Sequence, residues 1–203
     1  MITKIEQTLK HHKPWRLSGQ HQEDQQAGVL VLMTDADVPE LILTRRNARL
    51  SSHGGEVAFP GGKRDRQDAD LLATALRETH EEIGIAPNQV RPLGSLSDVL
   101  SKHQLKVMPW VGVVDPALEL IPNPAEIESV FTVPLTFFME PNRARLDHFV
   151  DATGRSLYSP SWEINGYVIW GLTAWVIADL LNTVFDANIQ TRPRPERAFH
   201  GTT

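Results

Sequence analysis

Apolar residues first gather at the amino terminus, where Ile2, Ile5 and Leu9 in MITKIEQTLKHHKPW fall three and four positions apart, the spacing of one face of a short helix. The polar stretch SGQHQEDQQ follows and reads as a surface loop. From Gly28 the period shortens. GVLVLM and LILTRR (41–46) are short apolar runs separated by the turn-like DADVPE, which predicts two strands joined as a hairpin. HGGEVAFPGGK (53–63) then sets a short strand, VAF, between glycine-rich loops that need unusual backbone angles.

LLATALRETHEEI returns to helical spacing, with Asp68 or Asp70 available as a cap and Gly84 placed to close it in a left-handed conformation. This predicts a helix of about three turns. VRPLGSLSDVLS and KVMPWVGVV (106–114) predict two more strands around a loop carrying Lys102 and His103. SVFTVPLTFFM mixes strand and helix signals, with a short helix starting at TVPL. GYVIWG is a strand, and LTAWVIADLLNTVF (172–185) is a buried or half-buried helix. TRPRPERAFHGTT has the composition of an unpacked end. The expected layout is a helix and loop over 1–27, one domain over 28–188 and a flexible tail over 189–203, without repeats.

Composition agrees with a single domain: 203 residues, 41% hydrophobic and 22% charged, can bury a sizeable core. Acidic residues outnumber basic ones by 25 to 20, and the pI near 5.9 provides no basic field for gripping nucleic acid, although a nucleotide-sized ligand is compatible. The absence of cysteine excludes disulfides, thiolate metal sites and cysteine nucleophiles, so carboxylates or histidines must hold any metal. The start lacks the unbroken apolar core of a secretion signal. The longest apolar stretch, VIWGLTAWVIADLL, contains Asp179 and falls short of the roughly 20 residues a membrane span needs. A soluble, cytoplasmic protein with no membrane partner is expected, and a homodimer is left open.

Charge is most concentrated in RETHEEIGI (77–85). At 100° per residue, Leu72, Leu76, Thr79 and Ile83 lie within about 60° of one another and predict a buried stripe. The glutamates lie off it. Glu78 and Glu82 stand at i and i+4, and Glu81 at i+3 from Glu78, so three carboxylates can converge from one side while Arg77 pairs with Glu81. Like charges at this spacing destabilise an isolated helix, and Glu81 and Glu82 sit in the last turn, where the helix dipole disfavours anions. A solvated acidic face is the plain reading. A hard divalent cation, Mg²⁺ or Mn²⁺, is the compensation that the neighbouring residues favour. FPGGKRD precedes the helix as an anion-handling turn would, with Lys63 and Arg64 beside it to meet phosphate oxygens.

The order strand, glycine loop, acidic helix, glycine cap resembles the Nudix hydrolases, whose signature is G-x5-E-x7-R-E-U-x-E-E-x-G-U, where U is aliphatic. Arg77, Glu78, Glu81, Glu82, Gly84 and Ile85 match its second half, with Thr79 where an aliphatic residue is usual. In the first half, the sixth residue after Gly62 is Asp68 rather than Glu, and its spacing to Arg77 is one residue longer. The resemblance implies an α/β fold, an α/β/α sandwich with a mixed β-sheet.

LILTRRNARLSSHGGEVAFPGGKRD (41–65) is similar to an extension of the coenzyme A pyrophosphatase subgroup, approximately L-L-T-x-R-x-x-x-L-R-x-H-x-G-Q-V-A-F-P-G-G. Leu43, Thr44, Arg45 or Arg46, Leu50, His53, Gly55 and Val57 to Gly62 fit; Ser51 replaces the usual Arg and Glu56 the usual Gln. NPAEIESVFTVPL and IWGLTA also resemble that subgroup. The resemblance implies cleavage of the coenzyme A diphosphate to 3′,5′-ADP and 4′-phosphopantetheine. Glu78 and Glu82, assisted by Glu81, would hold Mg²⁺ or Mn²⁺, which neutralises the diphosphate and acidifies a water. Arg45, Arg46, Lys63 and Arg64 would bind the remaining phosphate charge. Glu126, in NPAEIESVF, resembles a recurrent glutamate outside the signature and is the candidate base or additional metal contact.

Other candidates have plainer readings. His53 reads as a hydrogen-bonded turn residue before a catalyst, His103 as solvent-facing before substrate-binding, and the five tryptophans, including Trp110, Trp170 and Trp175, as core before adenine-stacking groups. Arg77 reads as structural. Two further functions stand beside coenzyme A cleavage: the same chemistry on ADP-ribose, a dinucleoside polyphosphate or a nucleoside triphosphate, and nucleotide sensing without turnover.

Overall fold

The structure, a computed structural model, describes residues 1–18, 25–50, 53–101, 104–141, 143–150 and 156–191. The expectations for most of the polar segment after residue 18, for Ser51, Lys102 and His103, and for the tail from residue 192 lie outside the described residues.

Strand β1 (Gln26–Thr34) runs antiparallel to β2 (Glu40–Arg46), with Met33 opposite Leu41, as the two apolar runs predict. β2 continues the sheet to β3 (Val57–Ala58) and to β8 (Ile127–Pro134), both antiparallel. On its other side β1 pairs in parallel with β7 (Lys106–Val114), which carries β5 (Arg91–Ser95) and β6 (Val99–Leu100). One parallel pair among antiparallel neighbours makes the sheet mixed.

Alternation along the central strands assigns each side chain to a layer. Leu30, Leu32 and Ile42 face helix α2 (Leu71–Ile83), where they pack with Ala75, Ile83 and Ile85. Val31, Met33, Leu41 and Leu43 face the opposite way, toward α1 (Ile2–His11) and α4 (Gly171–Phe185), joining Ile5, Leu9, Ala174, Ile177 and Leu181. Each fully buried Leu or Ile contributes about 1.5–3 kcal/mol to these two cores. The result is the expected α/β/α sandwich, with α1 docked by the Ile2, Ile5 and Leu9 face.

Helix α2 has the limits that its sequence signals give: the Asp70 side chain accepts from Ala73 N–H at 2.8 Å, and Gly84 closes the helix at φ 77°. Its orientation differs. Leu71, Ala75, Thr79, Glu82 and Ile83 are buried, whereas Leu72 and Leu76 of the expected stripe are only partly so. The helix is turned because it lies against Gly28 of β1, where any Cβ would collide with the Leu71 carbonyl. Glu82 is thereby carried inward, to 2% exposure.

One other expectation is corrected, and one segment without a sequence assignment forms strands. The glycine run before α2 is a strand: β4 (Gly61–Lys63) pairs antiparallel with β1, Gly62 opposite Gly28, and these two facing glycines, without side chains, let both strands lie close beneath the helix. The region 145–164, which carries little strand signal, forms β9 (Arg145–Val150) and β10 (Ser156–Ile164); with β11 (Tyr167–Ile169), the GYVIWG strand, they make a second antiparallel sheet. Pro160 in β10 cannot donate to a ladder and masked the strand in the sequence. The short helix after TVPL is α3 (Leu135–Met139). The tryptophans are not uniformly core: Trp162 is fully buried, Trp110 and Trp175 are partly buried, and Trp170, where the chain turns into α4, is 39% exposed.

Candidate active site

The inner side of α2 meets β4 and the end of β2, and the glutamates divide there. Glu82 is inserted between the two strands: its Oε2 accepts from Gly61 N–H at 3.2 Å and its Oε1 accepts from Arg46 Nη1 at 3.0 Å. Glu78, one turn earlier, lies against Gly62, where a Cβ would overlap its carboxylate. Glu81 turns outward, is about half exposed, and accepts from Arg77 Nη1 at 3.1 Å. Glu78 and Glu82 therefore face the same interior while Glu81 borders it.

Arg77 organises this helix face. Its Nη1 also donates to Glu78 Oε1 at 3.0 Å, its Nη2 donates to the Lys63 carbonyl at 3.1 Å, and Nε and Nη2 both reach Asp68, each at 3.0 Å. Asp68 further accepts from Asp65 N–H and Thr74 Oγ1. The structural reading of Arg77 extends from Glu81 to three carboxylates and a strand. Asp68, the acid at the altered signature spacing, is its anchor.

The electrostatics follow from burial. Desolvation pushes the Glu82 carboxyl up to about 7 against the opposing pull of Gly61 N–H and Arg46, and raises Glu78 against the pull of Arg77. Glu126 adds a smaller like-charge repulsion to both. Asp68 shows the reverse, held down to about 2 chiefly by its hydrogen bonds from Arg77.

Among the described residues, no three carboxylate or imidazole side chains are yet arranged to hold one ion jointly. The donor set nevertheless fits a hard divalent cation. Glu78 and Glu82 offer oxygen only, are desolvated, and have partial compensation from arginine; magnesium characteristically needs one or two carboxylates and takes its remaining ligands from water and phosphate.

The basic candidates separate. Arg46 points toward α2 and Glu82; Arg45 faces the other layer, 3.5 Å from Glu128 and over the Tyr167 ring, which stacks on Phe131. Arg64 donates to the carbonyls of Asp68 and Ala69, bracing the entry to α2, and Lys63 is exposed on β4. His53 takes φ 56° and lies 2.7 Å from Glu56 Oε2, as a turn residue would.

Comparison with known proteins completes the assignment. The NUDIX domain pattern matches residues 24–152. The chain belongs to the Nudix hydrolase family. It is 39% identical to the uncharacterised Nudix hydrolase NudL of Photorhabdus laumondii, over 84% of this chain and 89% of that one. Identity to the mitochondrial Nudix hydrolase 15 of Arabidopsis thaliana is 37% over 79% of this chain, which spans 59% of that plant relative's length. A MutT/nudix family protein from Enterococcus faecalis shares the fold, with TM-score 0.51 and 16% identity over 83% of this chain and 65% of that one. As a Nudix hydrolase the protein acts on pyrophosphate bonds, and the family generally uses divalent metals such as Mg²⁺ or Mn²⁺. No helix among the described residues is long and apolar enough to cross a membrane.

The sequence left Asn47 unread, whose side chain bonds the loop bearing Glu126. Its signal was present, since Asn two residues before Arg49 is the side chain of an Asx turn. Nothing local identified its partner 77 residues away.

Proposed function

We propose that this Nudix hydrolase cleaves the diphosphate of coenzyme A or its acyl or oxidised derivatives, releasing 3′,5′-ADP and 4′-phosphopantetheine or its acylated form. The observation that carries the chemistry is the inward-facing Glu78–Glu82 pair, Glu82 buried and Glu78 half-buried, one helical turn apart and seated on the glycine backbone of β4. The substrate class is supported by the 41–65 stretch and by the positive charge that Arg45 and Arg46 supply at the end of β2.

In this reading Glu78 and Glu82 hold the divalent cation, and Glu81 assists from the rim. A bound Mg²⁺ or Mn²⁺ supplies neutralisation of the diphosphate and acidification of water. Glu126 accepts the proton of the attacking water. Arg46, adjacent to the carboxylates, binds diphosphate oxygens, with Lys63 and Arg64 contributing charge at the β4 end; Arg45 takes the 3′-phosphate. Oxygen–phosphorus cleavage then proceeds without a covalent enzyme intermediate.

The test is a substrate panel in Mg²⁺ and Mn²⁺ with product identification by mass spectrometry. Coenzyme A should yield 3′,5′-ADP. Its absence beside rapid ADP-ribose cleavage would transfer the same chemistry to another nucleoside diphosphate derivative; no turnover of any diphosphate would favour nucleotide sensing.

A further inference from the structure

Glu126 stands on a loop, yet a group that takes a proton in a transition state must be held within a fraction of an ångström of its working position. Two asparagines supply that restraint. Asn123 N–H donates to the Glu82 carbonyl at 2.9 Å, satisfying a carbonyl at the end of α2, while the Asn123 carbonyl accepts from Glu126 N–H at 3.0 Å and Ile127 N–H at 2.8 Å. The Asn123 Oδ1 accepts from Ala125 N–H at 3.1 Å. This fixes the turn internally and to the catalytic helix.

Asn47 holds it from the opposite side. Its backbone N–H donates to the Glu126 carbonyl at 2.7 Å, its Nδ2 donates to the Pro124 carbonyl at 3.0 Å, and its Oδ1 accepts from Arg49 N–H at 3.0 Å. One amide side chain thus ties the Glu126 turn to the start of the loop that leaves β2 immediately after Arg46.

We infer that Asn47 is a positioning residue for the reaction: by clamping Pro124 and Glu126 to the end of β2, it fixes the Glu126 carboxylate relative to Glu78 and Glu82. The inference rests on the reading of Glu126 as a participant in hydrolysis. Asn47 touches no reacting atom in this role. Its backbone bond survives any substitution other than proline, so side-chain variants loosen the turn without detaching it.

Asn47→Asp keeps the acceptor for Arg49 N–H but loses the donor to Pro124, whereas Asn47→Ala loses both. With coenzyme A, or ADP-ribose if that is the faster substrate, both variants should lower kcat by about 10- to 100-fold with KM little changed. Hydrogen exchange should accelerate at residues 125–127 and remain unaltered in α2. In the Glu126→Gln background, which itself lowers kcat, Asn47→Ala should have almost no further effect, because the group it positions is gone.

Wild-type kcat in both Asn47 variants, or losses that multiply with Glu126→Gln, would overturn the inference. So would a general loss of exchange protection, which makes the residue a fold determinant. If Glu126→Gln alone leaves kcat intact, the assignment of Glu126 fails first and the clamp has nothing catalytic to position. The single variants and the double variant therefore separate the two failures.

Discussion

Arg77 grips Asp68 through two nitrogens, Nε to one carboxylate oxygen and Nη2 to the other, each at 3.0 Å. The pair spans nine residues, crossing from the turn before α2 to its middle, and the same guanidinium reaches Glu78 and Glu81. Asp68 is nearly buried, so its loss leaves Arg77 without its main anchor. Asp68→Asn should destabilise the protein by about 1–3 kcal/mol, discounted for the partial exposure of Arg77, as read by denaturant unfolding. Because the folded Asp68 carboxyl is held down to about 2 from 3.8, its contribution is present above pH 3.8 and lost as pH falls toward 2. The variant should lack that acid limb.

Glu82 has the opposite linkage. Its carboxyl is raised from 4.5 to about 7 in the folded protein, so in protein stripped of divalent cations the associated stability is complete below pH 4.5 and is lost as pH rises through 7. The loss by pH 8 is on the order of 3 kcal/mol. Thermal melts in chelator should fall across this window, added Mg²⁺ should restore the high-pH value, and Glu82→Gln should flatten the dependence. A flat wild-type profile would contradict the burial cost.

Turnover should separate the three helix glutamates. Glu78→Gln and Glu82→Gln are expected to lower metal-dependent kcat by about 100-fold or more with the fold retained by circular dichroism, while Glu81→Gln, half exposed at the rim, has a smaller effect. Equal losses at all three positions would show that the outward orientation of Glu81 is not its working one.

Arg46 donates to Glu82 Oε1 and would compete there with a cation held by Glu82. Arg46→Gln should therefore tighten Mn²⁺ binding several-fold by calorimetry while raising KM for the diphosphate substrate, since the same positive charge serves the phosphate. Weaker Mn²⁺ binding would place Arg46 outside the site.

Gly62→Ala tests the seat of Glu78. The added Cβ would overlap the carboxylate and drive it from its position, so activity should fall by about 10-fold or more. Unfolding should change far less than in Gly28→Ala, where the clash is with the backbone of α2 itself.

The limits of α2 were legible because they depend on neighbours in the chain: Asp70 reaches Ala73, and Gly84 supplies the left-handed residue at its end. The β1–β2 hairpin was legible for the same reason, each run carrying its own apolar pattern. The rotation of α2 was not, since it depends on Gly28 meeting Leu71 from a distant strand. Nor was β4, whose glycines carry no pattern until Gly62 lies opposite Gly28.

The sequence by itself determined the acidic helix with its caps, the Nudix signature and the α/β class its resemblance implies, and, in a chain without cysteine, that carboxylates or histidines must hold any metal. These are local properties, set by spacing and residue type. Only the tertiary structure decided which glutamates turn inward, that Arg45 and Arg46 face different layers, and that Asn47 meets Pro124. Those choices depend on long-range packing and on which backbone groups lie close enough to satisfy a buried charge, and no sequence interval encodes them.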